Sequence, residues 1–159
     1  MSAPVVYIGP MRRATIFHIL LSISQIISSK DYSLIQGLPG TGKTSTIAFV
    51  TRLLVARGKR VLLTSYTHAA VDNLMIKLLE SGVGKISANG DADMIRIGNK
   101  SQCHPLVHEL IAANVAVKKE LWANTTKLMR SNSNATLDGN ASAKTLKEVI
   151  AHARIVGCS

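Results

Sequence analysis

Gly37-Leu38-Pro39-Gly40-Thr41-Gly42-Lys43-Thr44 is the stretch that most narrows what this chain can fold into. A segment of this pattern needs a buried strand to deliver it, a turn uncrowded by side chains, and a helix to receive it. The flanks supply all of these. Ser33-Leu34-Ile35-Gln36 is short, mostly apolar and reads as a buried strand. Lys43 to Arg57 reads as a helix with an apolar stripe of Ile47, Val50, Leu53, Leu54 and Val55, and Gly58 supplies a left-handed stop. In such a turn successive backbone N–H groups point inward at a polyphosphate, where a Cβ would intrude. Lys43 is placed to reach β- and γ-phosphates, and the Thr44 hydroxyl to sit on Mg²⁺. The helix start adds unpaired N–H groups and a positive dipole end, worth about 0.3–2 kcal/mol per anionic contact. The competing reading, a turn that happens to contain Gly42-Lys43-Thr44, does not account for the ordered flanks.

With 159 residues the chain has room for one core-bearing domain and not for two full nucleotide-binding lobes. A hydrophobic content of 47% and a mean hydropathy of +0.21 describe a folded, buried-sheet protein. Aromatic residues make up only 4%, which argues against a base-stacking platform of the RNA-recognition type. A net charge of +10 points to a polyanionic partner, and its spread along the chain suits a charged face better than a basic arm. Cys103 and Cys158 have no metal-binding spacing and suggest a reducing compartment. The run from Ala14 to Ile27 follows Arg12-Arg13 like a signal peptide, but His18, Ser22, Ser24 and Gln25 interrupt it. It reads as a helix packed on a sheet edge, too short to span a bilayer.

Lys59-Arg60 lead into Val61-Leu62-Leu63-Thr64-Ser65, a second strand after a helix, and the pair reads as a β–α–β unit with parallel strands. Val71, Leu74, Met75, Leu78 and Leu79 share one helical face that ends near Gly82. Met94-Ile95-Arg96-Ile97 is a third strand, and residues from about Pro105 to Met129 read as one helix with Pro105 in its first turn. Ser131 to Ser142 is rich in Ser, Asn, Ala and Gly and reads as a linker-like loop. The sequons at Asn134 and Asn140 fall there and are taken as loop chemistry. Ala143 to His152 resumes helical spacing, and Ile155-Val156-Gly157-Cys158 starts a further strand. The alternation defines an open α/β sheet with ligands at the carboxyl ends of its strands.

Thr64-Ser65-Tyr66-Thr67-His68-Ala69-Ala70-Val71-Asp72-Asn73-Leu74 leaves a strand end and opens the next helix, on the rim where the phosphate loop is expected. Its hydroxyls and helix N–H groups suit the backbone of a nucleic acid. The alternative is plain helix capping by Thr67 or His68. Together, the glycine loop and this segment closely resemble motifs I and Ia of superfamily-one helicases, nearest the Upf-like branch. Asp31-Tyr32-Ser33-Leu34-Ile35, Arg96-Ile97-Gly98 with Cys103-His104-Pro105, and Ala153-Arg154-Ile155-Val156-Gly157-Cys158 agree with it, so the resemblance covers roughly Lys30 to Ser159.

The resemblance implies a partial RecA-like P-loop NTPase domain, α/β, with a mainly parallel sheet flanked by helices. Residues 31–159 would form an incomplete ATP-binding lobe carrying the 131–142 linker, and residues 1–30 a poorly matched N-terminal helix or extension. ATP and Mg²⁺ are the implied cofactors. Gly37, Leu38, Pro39, Gly40, Thr41, Gly42, Lys43, Thr44 and Ser45 would bind the nucleotide, with Thr44 on the metal. Thr64, Ser65, Tyr66, Thr67, His68 and Asn73 would line a track for single-stranded DNA, RNA being the other substrate of this branch. Also implied are 5′-to-3′ movement, a part in DNA replication and repair, a nuclear location with the cytoplasm as alternative, and no membrane.

The chain departs from that pattern in ways that shape the expectation. The adenine-contacting glutamine has no counterpart at its usual distance before Asp31, and Met11-Arg12-Arg13-Ala14 carries Met in the related position, displaced upstream. No Asp-Glu pair closes an apolar strand: Asp91 and Asp93 follow Ser87-Ala88-Asn89-Gly90, and Asp138 lies in the linker. The chain stops at Ser159, before that acidic box and the second lobe are due. The expectation is therefore a portion of a motor that binds nucleotide without appreciable hydrolysis, the remainder being supplied by a longer parent chain. Two other readings stand beside it. One is a non-catalytic nucleotide- or nucleic-acid-binding module; the other is a small phosphotransferase, which needs acidic residues near the phosphates and a lid.

Overall fold

Parallel strands cannot be joined by a tight turn, so each strand pairing in this chain is bridged by helix. The computed structural model describes residues 5–8, 14–37, 39–87, 89–131 and 141–159. Leu38, Met11-Arg12-Arg13 and the 132–140 part of the linker, with its sequons and Asp138, lie outside the described residues. The chain divides into two compact units, residues 1–50 and 51–159.

In the first unit, β1 (Val5–Ile8) pairs in parallel with β2 (Leu34–Gly37), Val5 opposite Leu34 and Ile8 opposite Gly37. Helix α1 (Ala14–Ser28) is the crossover and packs on β1, as the apolar run after Arg13 led one to expect. The unit closes in α2 (Lys43–Ala56), and the division of the chain falls within that helix. Along α2 Val50 and Val55 are buried and Leu53 and Leu54 half-buried, whereas Ile47, expected on the apolar stripe, is exposed. Gly58 ends the helix with a left-handed φ of 74°.

The second unit is built on a three-stranded parallel sheet in the order β3 (Val61–Thr64), β5 (Ile155–Cys158), β4 (Met94–Ile97). Within each unit the strand pairings join segments distant in sequence. β2 takes β1 as its partner and β3 takes β5, with Leu63 opposite Gly157 and Arg96 opposite Gly157 on the far side. Pairing partners depend on which strands meet in space, and periodicity along one strand carries no information about that.

Side chains alternate across the sheet, and the two faces receive different helices. Ile95 and Val156 face α4 (Ala112–Ser131) and α5 (Ala143–His152), meeting Val115, Ala116, Val149 and Ala153 in one apolar cluster. The opposite face receives α3 (His68–Glu80), whose Val71 and Met75 press on β5 so closely that a Cβ on Gly157 would sit 2.6 Å from Met75 Sδ. Val71, Met75 and Leu78 are buried, as the helical spacing predicts.

The helix expected from Pro105 to Met129 is broken in two. Pro105–Leu110 is a 3₁₀ helix, following a shorter one at Lys100–Gln102, and α4 starts only at Ala112. Ile111 leaves the helix at φ −61°, ψ 127° and bridges Arg96 in parallel, which covers the outer edge of β4. The His108 carbonyl accepts from the Ile111 N–H at 3.2 Å and from the Asn114 amide at 2.6 Å.

One carboxylate ties the two outer helices together. Glu120 of α4 accepts from the Ser142 N–H at 2.7 Å and from the Thr145 hydroxyl, at the capped start of α5. The Thr145 hydrogen bond, followed by those from Ser142, holds its pKa below the ordinary glutamate value. A lowered folded pKa gives stability that is whole above the unfolded value and is lost as pH falls through the folded one. Thermal melts of the chain and of Glu120→Gln should therefore differ at pH about 6 and converge towards pH about 3. Curves that stay equally far apart at both would show that the carboxylate charge is not what makes the link.

Candidate functional site

The glycine loop begins where β2 ends. Its two positive-φ residues, Gly40 at 76° and Gly42 at 83°, turn the chain back through conformations that a side chain disfavours. Gly37 is needed for a different reason. A Cβ there would lie 2.9 Å from Lys43 Cγ and 3.0 Å from Thr41 Oγ1, so the absence of a side chain lets the lysine stem fold across the loop mouth. Lys43 Nζ donates to the Gly37 carbonyl at 2.7 Å, bridging the loop from helix start to strand end.

Helix α2 starts at Lys43, and its first bond runs from Thr46 N–H to the Gly42 carbonyl at 2.9 Å, reinforced by the Thr46 hydroxyl at 3.1 Å. Thr41 and Thr46 are buried and anchor the turn, while Pro39, Gly40, Thr44 and Ser45 are exposed along its rim. The loop thus brings leading helix N–H groups, the exposed Thr44 and Ser45 hydroxyls and the Lys43 ammonium to one turn, a donor set suited to phosphate oxygens. Among the described residues no group of three His, Cys, Asp or Glu side chains could hold a metal.

The strand-end loop after β3 is built otherwise. Thr67 precedes α3 in extended geometry with no side-chain cap, and the Ser65 hydroxyl accepts from the Thr67 N–H at 3.4 Å. Tyr66 is fully exposed, Thr64, Thr67 and Asn73 are exposed, and Ser65 and His68 are half-buried. Neither Thr67 nor His68 caps the helix through its side chain, so the capping alternative does not describe this loop. His68 Nδ1 instead lies 3.3 Å from Arg96 Nη2 and bonds the Ser159 hydroxyl.

Arg96 is the centre of this arrangement. Its side chain is fully buried, yet it carries a charge in the middle of an apolar strand. It reaches across β5 where Gly157 has no side chain, and its Nε donates to Asp72 Oδ1 at 2.8 Å. Nη1 donates to the Ile97 carbonyl at 2.6 Å and Nη2 to Ser159 Oγ at 2.9 Å. The second Asp72 oxygen accepts from the His104 N–H at 2.7 Å. Three stretches quoted for the helicase resemblance, around Asp72, Arg96 and His104, therefore meet in one buried network. Sequence reading missed the pair. Its signal was a lone arginine inside Met94-Ile95-Arg96-Ile97, which demands a buried acid nearby.

A separate cavity of about 740 Å³ in the second unit, lined by Leu79, Ile86, Leu106, Leu121 and Trp122 among others, includes none of the residues expected to bind nucleotide or nucleic acid.

Strand, glycine turn and helix, in an α/β chain with parallel sheets, define a partial RecA-like P-loop domain. The model of the AAA domain family matches residues 20–156, and the chain belongs to that family. It is similar to the DNA replication ATP-dependent helicase/nuclease DNA2 of Saccharomyces cerevisiae, with 43% identity over 97 residues, 61% of this chain and 6% of that protein. The Xenopus laevis protein of the same name is 42% identical over 100 residues, 63% of this chain and 9% of the relative. Helicase/nuclease JHS1 of Arabidopsis thaliana is 44% identical over 88 residues, 55% of this chain and 6% of its own length. The chain thus spans a small fraction of the curated relatives it matches, and those relatives are named as ATP-dependent enzymes of DNA replication. Among the described residues no helix is long and apolar enough to cross a membrane.

Proposed function

We propose that this chain is the nucleotide-binding portion of an ATP-dependent DNA helicase, with residues 31–159 forming part of a RecA-like lobe and residues 1–30 an extension to it. The observation that carries the reading is the loop itself: Gly40 and Gly42 take the left-handed backbone of the turn, Gly37 leaves room for the lysine stem, and Lys43 lies across the mouth. Residues 37–45 hold the polyphosphate of ATP, with Lys43 on its terminal phosphates and Thr44 on the accompanying Mg²⁺. When bound, the metal ion neutralises phosphate charge. Thr64, Ser65, Tyr66, Thr67, His68 and Asn73 meet the backbone of single-stranded DNA, to which the net charge of +10 draws the chain. The names of the relatives support DNA over RNA and a part in replication, a nuclear location is the one that goes with that part, and 5′-to-3′ movement follows from the helicase resemblance.

These residues bind nucleotide without turning it over. No two acidic residues adjoin anywhere in the sequence, and the single carboxylate of residues 1–50 is Asp31, which precedes β2 at the end away from the loop. A helicase acid that holds Mg²⁺ and a base that orients water must come from outside these residues. Titration of a fluorescent ATP analogue with Mg²⁺ should saturate and be displaced by ATP and by inorganic triphosphate, with no appreciable hydrolysis by pure protein. Single-stranded DNA binding should weaken with salt at a log–log slope of about −0.7 per phosphate contacted, with a single-stranded RNA series alongside. Failure of triphosphate to compete would remove the nucleotide assignment, and a flat salt response would remove the nucleic-acid one.

A further inference from the structure

We infer that the buried Arg96–Asp72 pair is a positioning device that fixes the tautomer of His68, so that its Nε2–H meets a phosphate oxygen of the nucleic acid as a hydrogen-bond donor. The inference rests on the strand-end loop being the nucleic-acid contact. Its core is an asymmetry between the two side chains. A guanidinium has donors and no acceptor, so a hydrogen bond between Arg96 Nη2 and His68 Nδ1, 3.3 Å apart, requires the ring nitrogen to accept. The Ser159 hydroxyl accepts from the same guanidinium at 2.9 Å and has its own proton to give to Nδ1, with which it is in contact. The guanidinium therefore places a lone pair on Nδ1, which leaves the ring proton on Nε2, and the serine hydroxyl, able to give or to accept, follows that choice.

The guanidinium is itself immobile. Asp72 Oδ1 and the Ile97 carbonyl hold its other nitrogens at 2.8 and 2.6 Å, and the His104 N–H holds the second Asp72 oxygen. His68 is half-buried at the start of α3, beside exposed Thr67, so the ring stands at the boundary between this network and the loop surface. A ring with its tautomer chosen in advance offers one donor in one direction. Phosphate oxygens accept and never donate, so that choice matches the polyanion the loop is proposed to meet.

Long-range proton–nitrogen NMR of the full chain without nucleic acid should show His68 with an acceptor-type Nδ1 and a protonated Nε2. A protonated Nδ1 overturns the assignment. In the folded double variant Arg96→Leu, Asp72→Leu the single-tautomer pattern should be lost, and its survival would show that the pair does not set it. For recognition, glutamine places its amide nitrogen where Nε2 lies and asparagine where Nδ1 lies. His68→Asn should therefore bind a single-stranded DNA oligonucleotide about tenfold more weakly than His68→Gln. Equal binding by the two overturns the donor role. If the unaltered chain binds no single strand, the proposed function of the loop fails along with the donor's ligand, while the spectrum alone still decides the tautomer.

Discussion

Replacing Arg96 with leucine is expected to destabilise the second unit by about 3–5 kcal/mol, because it strands a charge rather than because it removes an attraction. Asp72 is 1% exposed. In the variant one of its oxygens keeps the His104 N–H, and the other, which now accepts from Arg96 Nε, faces the apolar side chains of α3 and β5. The charge left there cannot regain water. Exchanging both residues for leucine removes the charge as well as its partner, so most of the lost stability should return. Denaturant unfolding of the full chain, followed by the fluorescence of Trp122 in α4, reads this unit. The double variant is the informative one. If it is as stable as the original chain, the pair is kept for where it puts His68 and His104 and not for folding energy. If it is as unstable as the single variant, the charge is not the cause and the loss lies in packing over Gly157.

Much of the architecture was legible because it follows from local rules. Gly37 through Thr44 has a chemistry that few conformations satisfy, and the strand, turn and helix stand where the pattern requires. Helices α3 and α5 followed from their helical spacing, the first expected to end near Gly82 and found to end at Glu80, the second expected and found over Ala143 to His152. Illegible were the features that depend on a partner distant in sequence. Val5–Ile8 carries no motif, and only its pairing with β2 makes it part of the fold. The break at Ile111 is invisible in a run of good helix formers, since it is caused by a bridge to Arg96. The same residue explains why the strand-end loop was only half understood. Hydroxyls and small residues marked the segment as a contact surface, but the link from His68 to Arg96 spans 28 positions and passes through a charge buried in a strand. Arg96-Ile97-Gly98 and Cys103-His104-Pro105 carry the family pattern without showing in sequence why they belong together. Their reason is Asp72, which receives one of them through a guanidinium and the other through a main-chain amide.

Lys43→Ala should weaken binding of an ATP analogue by about 10- to 100-fold, the loss expected for one charge-assisted contact to phosphate. The lysine acts from a set position, and that separates two ways of disabling it. Removing the side chain deletes the ammonium. Gly37→Ala keeps the ammonium but sets a methyl group 2.9 Å from Lys43 Cγ, on the residue whose carbonyl the lysine grips at 2.7 Å. The stem has to move aside, and the tether across the loop mouth goes with it. Gly37→Ala should therefore lie between the original chain and Lys43→Ala, and combining the two changes should add little to Lys43→Ala alone. Lys59→Ala removes the same unit of charge from an exposed position outside the loop and should leave nucleotide affinity where it was. If Lys59→Ala weakens binding as much as Lys43→Ala, the chain attracts nucleotide through net charge and the loop has no special part. If Gly37→Ala costs as much as Lys43→Ala and the double variant costs their sum, the glycine serves the turn independently. In that case the crossing of Lys43 over Gly37 is not what prepares the loop for phosphate.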